Sequence, residues 1–338
     1  MTLDTMTEFL IGTSVNTQIE ARSQDPDLAK LVENTKIDGK GKVFEQGFDV
    51  VLEHLFFAMR SGNLWRFTLT KKFFDAIKIT NDFVDHYVQL ALAKQGENKK
   101  DKKPGEEQPL LMELAERTQD PIRLRGELLS FLSAGRDTTA ELIGWLIFLL
   151  ARHPHVFKRL RDDIIKGFGT SWDETEITFA KLKQCAYLQA CMSETLRICP
   201  AVAFGSREAM SDTTLPRGGG SDGTAPVFVK KGTFIQWSQY TMGREPSVWG
   251  DDADEFKPER FLGRKNGWEY LRRLRRPEDD PYRANIIAAF NGGPRFCIGQ
   301  QVALTSAGYA IVRLLQRFDD INNDDPDTVW RAKTAVTK

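Results

Sequence analysis

One cysteine in a glycine-rich loop is the residue of this chain best suited to chemistry. The loop FNGGPRFCIG runs from Phe290 to Gly299 with Cys297 near its end, and a helical pattern begins directly after it. Glycines such as Gly293 allow a tight turn that directs amide N–H groups at the sulfur, and the following helix N-terminus favours a thiolate. Arg295 can meet an anionic group of a ligand. The loop therefore indicates a thiolate metal ligand; the alternative is an inert cysteine buried in a turn.

Three further segments stand upstream of this loop in a fixed order. They are AGRDTT at 134–139, ETLR at 194–197 and FKPERF at 256–261. Together with the arrangement F-x-x-G-x-R-x-C-x-G in the loop, they resemble the motifs of the cytochrome P-450 monooxygenases. The resemblance implies haem b as cofactor, with its iron ligated by the Cys297 thiolate. It also implies that Phe290, Gly293, Arg295 and Gly299 surround the haem.

The segment ETLR places a carboxylate and a guanidinium on one helical face. Glu194 and Arg197 are three positions apart, so their side chains can pair. Taken alone, such a pair is more often a solvated surface pair. The resemblance implies instead a buried structural network, joined by Arg260, that braces the cysteine loop.

By resemblance, the segment AGRDTT takes part in oxygen activation. Gly135, Asp137 and Thr138 are poor helix formers, and a Thr hydroxyl can bond back to a carbonyl one turn earlier and distort the helix. The resulting space would admit O2 and a water, and Asp137 and Thr138 would relay protons as catalytic residues. The alternative is that Asp137 is only a solvated helix residue.

The resemblance also assigns residues to the haem propionates and to the substrate. Arg207 would be a second arginine for a haem propionate, with an ordinary surface arginine as the alternative. The substrate-facing residues would be Ala134, Val202, Ala203 and Phe204. They are small or apolar, which suits a lipophilic substrate, although the residues of any hydrophobic core have the same character.

The elements that must position these residues are mostly helical. Apolar stripes at helical spacing occupy 2–15, 48–59 and 73–92. A long helix is predicted from the cap at Asp120 to about Arg152, a second over 179–198, and a last one over 300–318. Short strands are predicted at 209–215 and 227–237, around a glycine-rich turn.

These elements predict one continuous domain over 1–338. The fold class is mainly α with a small β region, the cytochrome P-450 fold incomplete at the N-terminus. The charged segment 94–109 contains Gly and Pro and no apolar residue, and is predicted to be a surface loop within that domain.

The composition excludes several classes of protein. Lys and Arg number 47, as do Asp and Glu, so the zero net charge gives no electrostatic case for binding nucleic acid. Four cysteines without C-x-x-C spacing exclude a disulfide scaffold, and with four histidines they argue against a zinc site. The apolar fraction of 41% is sufficient for a sizeable core.

Several stretches resemble the fungal branch of the family that hydroxylates n-alkanes and fatty acids. They are AGRDTTA, TLPRGGGSDGTAPVFVKKG and FNGGPRFCIGQQVAL. The resemblance implies an oxidoreductase that acts on paired donors with O2, hydroxylates a lipophilic substrate and receives electrons from NADPH-cytochrome P-450 reductase. Two alternatives stay open: an oxidative step in a fungal secondary-metabolite pathway, and a truncated remnant without catalysis.

The first residues of this chain resemble a segment that lies well inside the sequences of family members. The resemblance implies that the usual membrane anchor, the first strands, several early helices and the closing β hairpin have no counterpart in this sequence. The longest apolar run, 142–151, is about half of a bilayer span. Full-length members are expected at the endoplasmic reticulum membrane, whereas this chain is expected to lack an anchor and to lie on the cytoplasmic side. Alone, it is expected to be poorly soluble and to hold haem weakly.

Overall fold

Helices dominate the part of the chain that the structure describes. The computed structural model describes residues 1–19, 40–97, 108–170, 176–262 and 289–325. The chain divides into two compact units, one built on Met1–Ala140 and the other on Glu141–Trp330. The predicted class, mainly α with a small β region, is confirmed.

The first unit is entirely helical in its described residues. Its helices are α1 Thr2–Ile11, α2 Lys40–Arg60, α3 Lys71–Glu97, α4 Leu110–Arg117 and the N-terminal part of α5 Pro121–Arg152, with a 3-10 helix Gly62–Thr68 between α2 and α3. Apolar side chains from all five α-helices meet in one core. Its buried members include Leu3, Leu10, Phe44, Phe48, Val84, Val88, Leu111, Ala115, Leu124 and Leu128. The apolar stripes of the sequence are therefore the faces that this core buries.

Local signals set the ends of these helices. The α1 helix ends at Gly12, whose left-handed φ of 75° and N–H bond to the Glu8 carbonyl close the last turn, so the helix stops before the predicted residue 15. The predicted cap of α5 is confirmed, because the Asp120 carboxylate accepts from the Ile122 amide at 2.9 Å. Helix α3 continues to Glu97, into the predicted loop 94–109, and residues 98–107 of that loop lie outside the described residues.

The second unit contains one helix that is almost entirely buried, together with other helices and four short strands. Its helices are α6 Pro154–Phe168, α7 Phe179–Gln184, α8 Ala186–Ile198, α9 Gln239–Met242, α10 Pro246–Trp249 and α11 Gln300–Arg317, with 3-10 helices Pro258–Phe261 and Gly293–Arg295. Every residue of α8 from Tyr187 to Ile198 is buried. The core around it includes Leu142, Leu146, Leu160, Ile164, Leu188, Met192, Ala307 and Ile311. Polar residues on α8 consequently have no access to bulk water.

The single helix predicted over 179–198 is wrong. The structure divides it at Cys185, whose φ of −72° and ψ of 85° leave the helical region. The Gln189 side-chain amide donates to the Leu182 carbonyl at 2.9 Å, so a carbonyl near the end of α7 is satisfied from α8. A helical stripe continues across such a break, which is why periodicity did not reveal it.

The β region consists of two antiparallel pairs. Strand β1 Phe204–Glu208 pairs with β4 Phe234–Ser238, and β2 Thr213–Gly219 pairs with β3 Ala225–Val229. The single strand predicted over 227–237 is wrong, because Gly232 has a φ of 83° and turns the chain between β3 and β4. The strand predicted over 209–215 lies further along the chain, and β1 was not predicted.

No described helix is both long and apolar enough to cross a lipid bilayer. The apolar run 142–151 belongs to the C-terminal part of α5, where Leu142, Leu146 and Leu150 are buried in the core of the second unit.

Candidate functional site

Cys297 closes a short loop in front of α11. Its backbone N–H donates to the Phe290 carbonyl at 2.8 Å, which joins the two ends of the loop. The 3-10 helix Gly293–Arg295 lies between them, and Gly299 is the N-cap residue of α11. The thiol is half-buried and forms no disulfide. The sulfur therefore lies just ahead of the N-terminus of α11.

The side chains beside Cys297 are of the kinds that would contact haem. Within the described ranges, no group of three or more His, Cys, Asp or Glu side chains could hold a metal ion. A lone thiolate can retain a metal that brings its other ligands with it, as haem iron does. Phe296 and Ile298, 55% and 73% exposed, offer apolar surface beside the thiol. Arg295 is exposed and supplies a cation for a propionate.

Two residues that the sequence reading missed tie the loop to the segment before β1. Asn291, with a left-handed φ of 57°, accepts a hydrogen bond at 3.3 Å from the Gln239 side-chain amide. The Gln239 backbone N–H donates to the Ala203 carbonyl at 2.8 Å. The pair Asn-Gly at 291–292 was the available signal, since asparagine is enriched at positive φ. Ala203 and the cysteine loop are thus held by one intermediate residue.

The other residues near β1 that the sequence analysis assigned to substrate or haem are exposed. Val202 and Phe204 are 37% and 64% exposed. The Arg207 guanidinium donates to the Ser206 carbonyl at 2.7 Å and lies 5.3 Å from the centre of the Trp237 ring. No hydrogen bond or ion pair among the described residues joins Arg207 to the cysteine loop, so its assignment to a propionate rests on the resemblance alone.

The structure brings Glu194, Arg197 and Arg260 together around one carboxylate. Arg197 donates to both oxygens of Glu194 at 2.7 Å, and both side chains are 0% exposed. Arg260 Nε donates to Glu194 Oε1 at 2.9 Å, as does the Lys257 backbone N–H. The carboxylate therefore meets two guanidinium groups and a backbone donor away from the protein surface.

Backbone carbonyls complete the coordination of the buried Arg197 guanidinium. It donates to the carbonyls of Gly243 and Ala253 and, at 3.0 Å, to that of Glu255. Its planar group also lies 5.1 Å from the centre of the Trp249 ring. Because every polar atom of a buried ion pair must find a partner, this carbonyl cage makes the pair tolerable in the core.

Asp252 is a second carboxylate of this cluster that the sequence reading missed. Arg260 donates to the Asp252 side chain at 3.2 Å and to its backbone carbonyl at 2.8 Å. Hydrogen bonds from Lys257 and Arg260 lower the pKa of Asp252 to about 2. Burial opposes the charge of Arg260, but Glu194 and Asp252 prevail and raise its pKa. Asp252 is eight positions from Arg260 in an irregular segment, so no helix or strand periodicity connected the two residues.

The motif AGRDTT lies on α5 in the first unit. The Thr138 hydroxyl donates to the Ala134 carbonyl one turn earlier at 2.6 Å, so the expected back-bond is present. Helix α5 nevertheless remains α-helical through the motif, and the expected distortion is not seen. Gly135 has a packing role instead: a Cβ there would lie 2.4 Å from the terminal methyl of Met6 on α1.

Asp137 is largely buried and paired, which argues against a solvated helix residue. Arg136 Nε lies 3.1 Å from the Asp137 carboxylate, and the two side chains are 12% and 15% exposed. Arg136 also pairs with Asp49 of α2. Neither Arg136 nor Asp49 was singled out from the sequence, because their contact joins distant segments of the chain.

Gly243 offers a direct test of the packing around Arg197. A Cβ at this position would lie 2.1 Å from the Arg197 backbone carbonyl oxygen. We expect Gly243→Ala to lower the free energy of unfolding by about 1–3 kcal/mol, because backbone must move to admit a methyl group. Denaturant unfolding followed by circular dichroism measures this loss.

The control is Gly126→Ala in α5, where a Cβ would meet no atom within 4 Å. This change should be neutral or raise the stability by up to about 1 kcal/mol, because alanine is the better helix former. Equal effects of the two substitutions would contradict the close approach of α8 to Gly243.

Comparison with known proteins places the chain in a family. The family model described as cytochrome P450 matches residues 33–331. Because the match covers most of the chain, this protein belongs to the cytochrome P450 family, and its helices and small β region are those of the P450 fold.

Similar proteins come from fungi. The chain is 45% identical over 332 residues to cytochrome P450 monooxygenase g430 of Fusarium sp, 40% identical over 331 residues to cytochrome P450 52A13 of Debaryomyces hansenii, and 39% identical over 343 residues to cytochrome P450 52A1 of Candida tropicalis. These matches cover 97%, 96% and 100% of this chain but 54%, 59% and 58% of the relatives. The chain thus spans somewhat over half the length of the curated relatives.

Proposed function

We propose that this chain carries the haem-thiolate centre of a monooxygenase that inserts one oxygen atom from O2 into a lipophilic substrate. The observation that carries the proposal is the free, half-buried Cys297 in a closed loop ahead of α11, without companion metal ligands in the described residues. Haem held by a thiolate supplies the activation of O2. The relative from Fusarium sp is itself named a monooxygenase.

The cysteine loop would hold haem b through a small number of groups. Cys297 would supply the axial thiolate, and the helix N-terminus at Gly299 would stabilise its charge. Arg295 and Arg207 would meet the propionates, since a guanidinium pairs well with a carboxylate. The buried cluster of Glu194, Arg197 and Arg260 would act as a brace for this half of the protein and not as a catalytic group.

Asp137 and Thr138 would supply protons during oxygen activation. The Thr138 hydroxyl already donates to the Ala134 carbonyl, so its oxygen remains an acceptor for a water or a protonated group. Arg136 holds the Asp137 carboxylate on one side, which fixes its orientation. The two side chains are neighbours in sequence on the same helix, as a short proton path requires.

The substrate that we propose is an alkane or a fatty acid. Ala134, Val202, Ala203 and Phe204 are small or apolar, and Val202 and Phe204 leave apolar surface exposed for a guest. The sequence resemblance is to a fungal branch of the family, and the relatives named cytochrome P450 52A13 and 52A1 are fungal proteins. Electrons would come from NADPH-cytochrome P-450 reductase, and a full-length family member would work at the endoplasmic reticulum membrane.

Thr138→Ala tests this function through the coupling of electron use to product. We expect haem and substrate to bind as before, because the back-bond to Ala134 contributes little to a continuous helix. Without the hydroxyl, proton delivery to the bound oxygen should no longer be controlled. NADPH should then be consumed to form hydrogen peroxide or water instead of hydroxylated product. The yield of hydroxylated fatty acid per NADPH should fall at least about tenfold.

Ser130→Ala is the matched control, because the Ser130 hydroxyl makes a similar back-bond at 2.8 Å to Gly126 on the same helix. This variant should keep the coupling of the unmodified protein. If Thr138→Ala also keeps it, Thr138 has no role in proton delivery.

A further inference from the structure

Helix α9 begins with a buried glutamine whose helix is fixed at its other end. Gln239 is 5% exposed and is the first residue of α9. The Gly243 N–H donates to the Gln239 carbonyl at 2.9 Å, and the Gly243 carbonyl accepts from the buried Arg197 guanidinium. Gln239 therefore projects from a rigid element, as a residue that positions others requires.

The backbone of α9 holds the segment before β1. The Ala203 carbonyl accepts hydrogen bonds from the N–H groups of Gln239 at 2.8 Å and Tyr240 at 3.4 Å. Directly beside them, Ser238 lies opposite Phe204 in the antiparallel pair of β4 and β1. These are backbone contacts, so almost any residue type at position 239 could make them. They do not explain why the side chain is a glutamine.

The side chain of Gln239 reaches the cysteine loop. Its Nε2 donates to Asn291 Oδ1 at 3.3 Å. Asn291 has a left-handed φ of 57° and follows Phe290, whose carbonyl accepts from the Cys297 N–H at 2.8 Å. A residue other than glycine keeps such a conformation where its surroundings hold it. The hydrogen bond from Gln239 thus holds the loop at the point where it closes on Cys297.

Packing alone does not favour a glutamine at position 239. The Gln239 Oε1 is buried and has no hydrogen-bond partner among the residues that the structure describes. A buried acceptor without a partner destabilises a fold, whereas a leucine of similar size would not carry that cost. The hydrogen bond from Nε2 to the cysteine loop supplies a reason for the glutamine that packing does not.

We propose that Gln239 is a positioning residue for the thiol of Cys297. Its side chain holds Asn291, and Asn291 keeps the closed loop in the conformation that places the sulfur ahead of α11. The relevance of this role to haem rests on the proposed function. The accessibility of the thiol can nevertheless be measured without haem, so the two claims can be tested separately.

Alkylation of the full chain by iodoacetamide, followed at each cysteine by peptide mass spectrometry, tests the proposal. In protein purified without haem, Gln239→Leu should raise the rate at Cys297 about tenfold, because loss of the hydrogen bond lets the loop open more often. The rate at Cys185, which is also half-buried, should not change and serves as the internal reference. The free energy of unfolding should stay nearly unchanged, because leucine also removes the buried acceptor.

Gln316→Leu on α11 is the matched control. Gln316 is 8% exposed, and its Nε2 donates to the carbonyls of Phe168 at 3.3 Å and Gly169 at 3.0 Å. This variant should lose stability, because the two carbonyls lose their donor. The alkylation rate at Cys297 should nevertheless stay that of the unmodified chain. The two glutamine variants therefore separate a local effect on the thiol from a general loss of stability.

Two substitutions at Asn291 separate the hydrogen bond from the backbone conformation. Asn291→Asp retains an acceptor oxygen for the Gln239 amide and should retain the slow alkylation of Cys297. Asn291→Gly allows the same left-handed φ but has no side-chain acceptor, so it should act like Gln239→Leu. The double variant Gln239→Leu with Asn291→Gly should show no further increase, because both changes remove the same contact.

Protein that has been supplied with haem gives a second measurement. The share of bound haem without thiolate ligation, read from the absorption spectrum of the carbon-monoxide complex, should be higher in Gln239→Leu than in Gln316→Leu. Equal shares in the two variants would overturn the proposal.

The alkylation rates decide the proposal even without haem. An unchanged rate at Cys297 in Gln239→Leu would overturn it. So would an equal increase at Cys185 or in Gln316→Leu, since either result would indicate general loosening of the fold. If Gln239→Leu alone raises the rate at Cys297 but bound haem never shows thiolate ligation, the role of Gln239 is supported and the proposed function is refuted.

Discussion

Replacing Glu194 with alanine is expected to leave little folded protein and almost no bound haem. The Glu194 and Arg197 side chains are both 0% exposed, and Arg260 is only 12% exposed. Removing the carboxylate leaves two guanidinium charges in the protein interior without their anion. Such a loss costs roughly 3–5 kcal/mol. That is a large fraction of the total stability of about 5–15 kcal/mol for an ordinary domain.

A surface ion pair provides the matched control for this substitution. Lys78 and Asp82 on α3 pair across one helical turn, and their side chains are 77% and 62% exposed. Asp82→Ala should change the free energy of unfolding by about 0.5 kcal/mol or less. Soluble yield, haem per chain and denaturant unfolding measure both variants. Normal yield and stability of Glu194→Ala would refute the buried network as a brace.

Replacing Cys297 with alanine is expected to remove the thiolate-type haem spectrum entirely while the polypeptide still folds. The side chain is half-buried, and within the described residues its sulfur forms no disulfide, so little packing is lost. Alanine carries no donor atom, so the variant would have no thiolate for the iron at this position.

Cys191→Ala is the control for this change. Cys191 is 0% exposed in the core around α8, so its replacement should cost some stability through lost packing. Burial also raises the pKa of the Cys191 thiol, which keeps it neutral and inert. The Cys191→Ala protein should therefore retain the thiolate-type spectrum. If Cys297→Ala also retains it, another residue binds the iron.

The sequence allowed prediction of the groups that depend on short spacing. Glu194 and Arg197 pair across one helical turn, Asp120 caps the helix that follows it, and Cys297 directly precedes a helix. In each case the partners are close in the chain, so spacing determines their contact. The resemblance to a family supplied the roles of these residues, and the match over 33–331 confirms the family.

Contacts between distant segments could not be predicted in this way. Gly243 and Ala253 are 46 and 56 positions from Arg197 in the chain. They accept through backbone carbonyls, so their residue types give no sign of the hydrogen bonds. The salt bridge from Arg136 to Asp49 spans 87 positions. These partners depend on how the helices pack, which a pattern of local periodicity does not contain.

Errors in the predicted elements have a similar cause. The break at Cys185 lies within a continuous apolar stripe, so the periodicity of α7 and α8 resembles that of one helix. Strand β1 begins at an exposed Phe204 and includes Gly205, which weakens its strand signal. Residues whose conformation depends on tertiary contacts are those that sequence patterns assign least well.

The absorption spectrum of the reduced, carbon-monoxide-bound protein tests the central claim most directly. Haem whose iron is bound by a thiolate shows a Soret band at a distinctly longer wavelength than haem with a neutral axial ligand, because the sulfur donates electron density to the iron. We predict the long-wavelength band for the unmodified chain after haem is supplied during expression. A band at the shorter wavelength in the haem-bound protein would contradict the assignment of Cys297 as the axial ligand of a haem-thiolate centre.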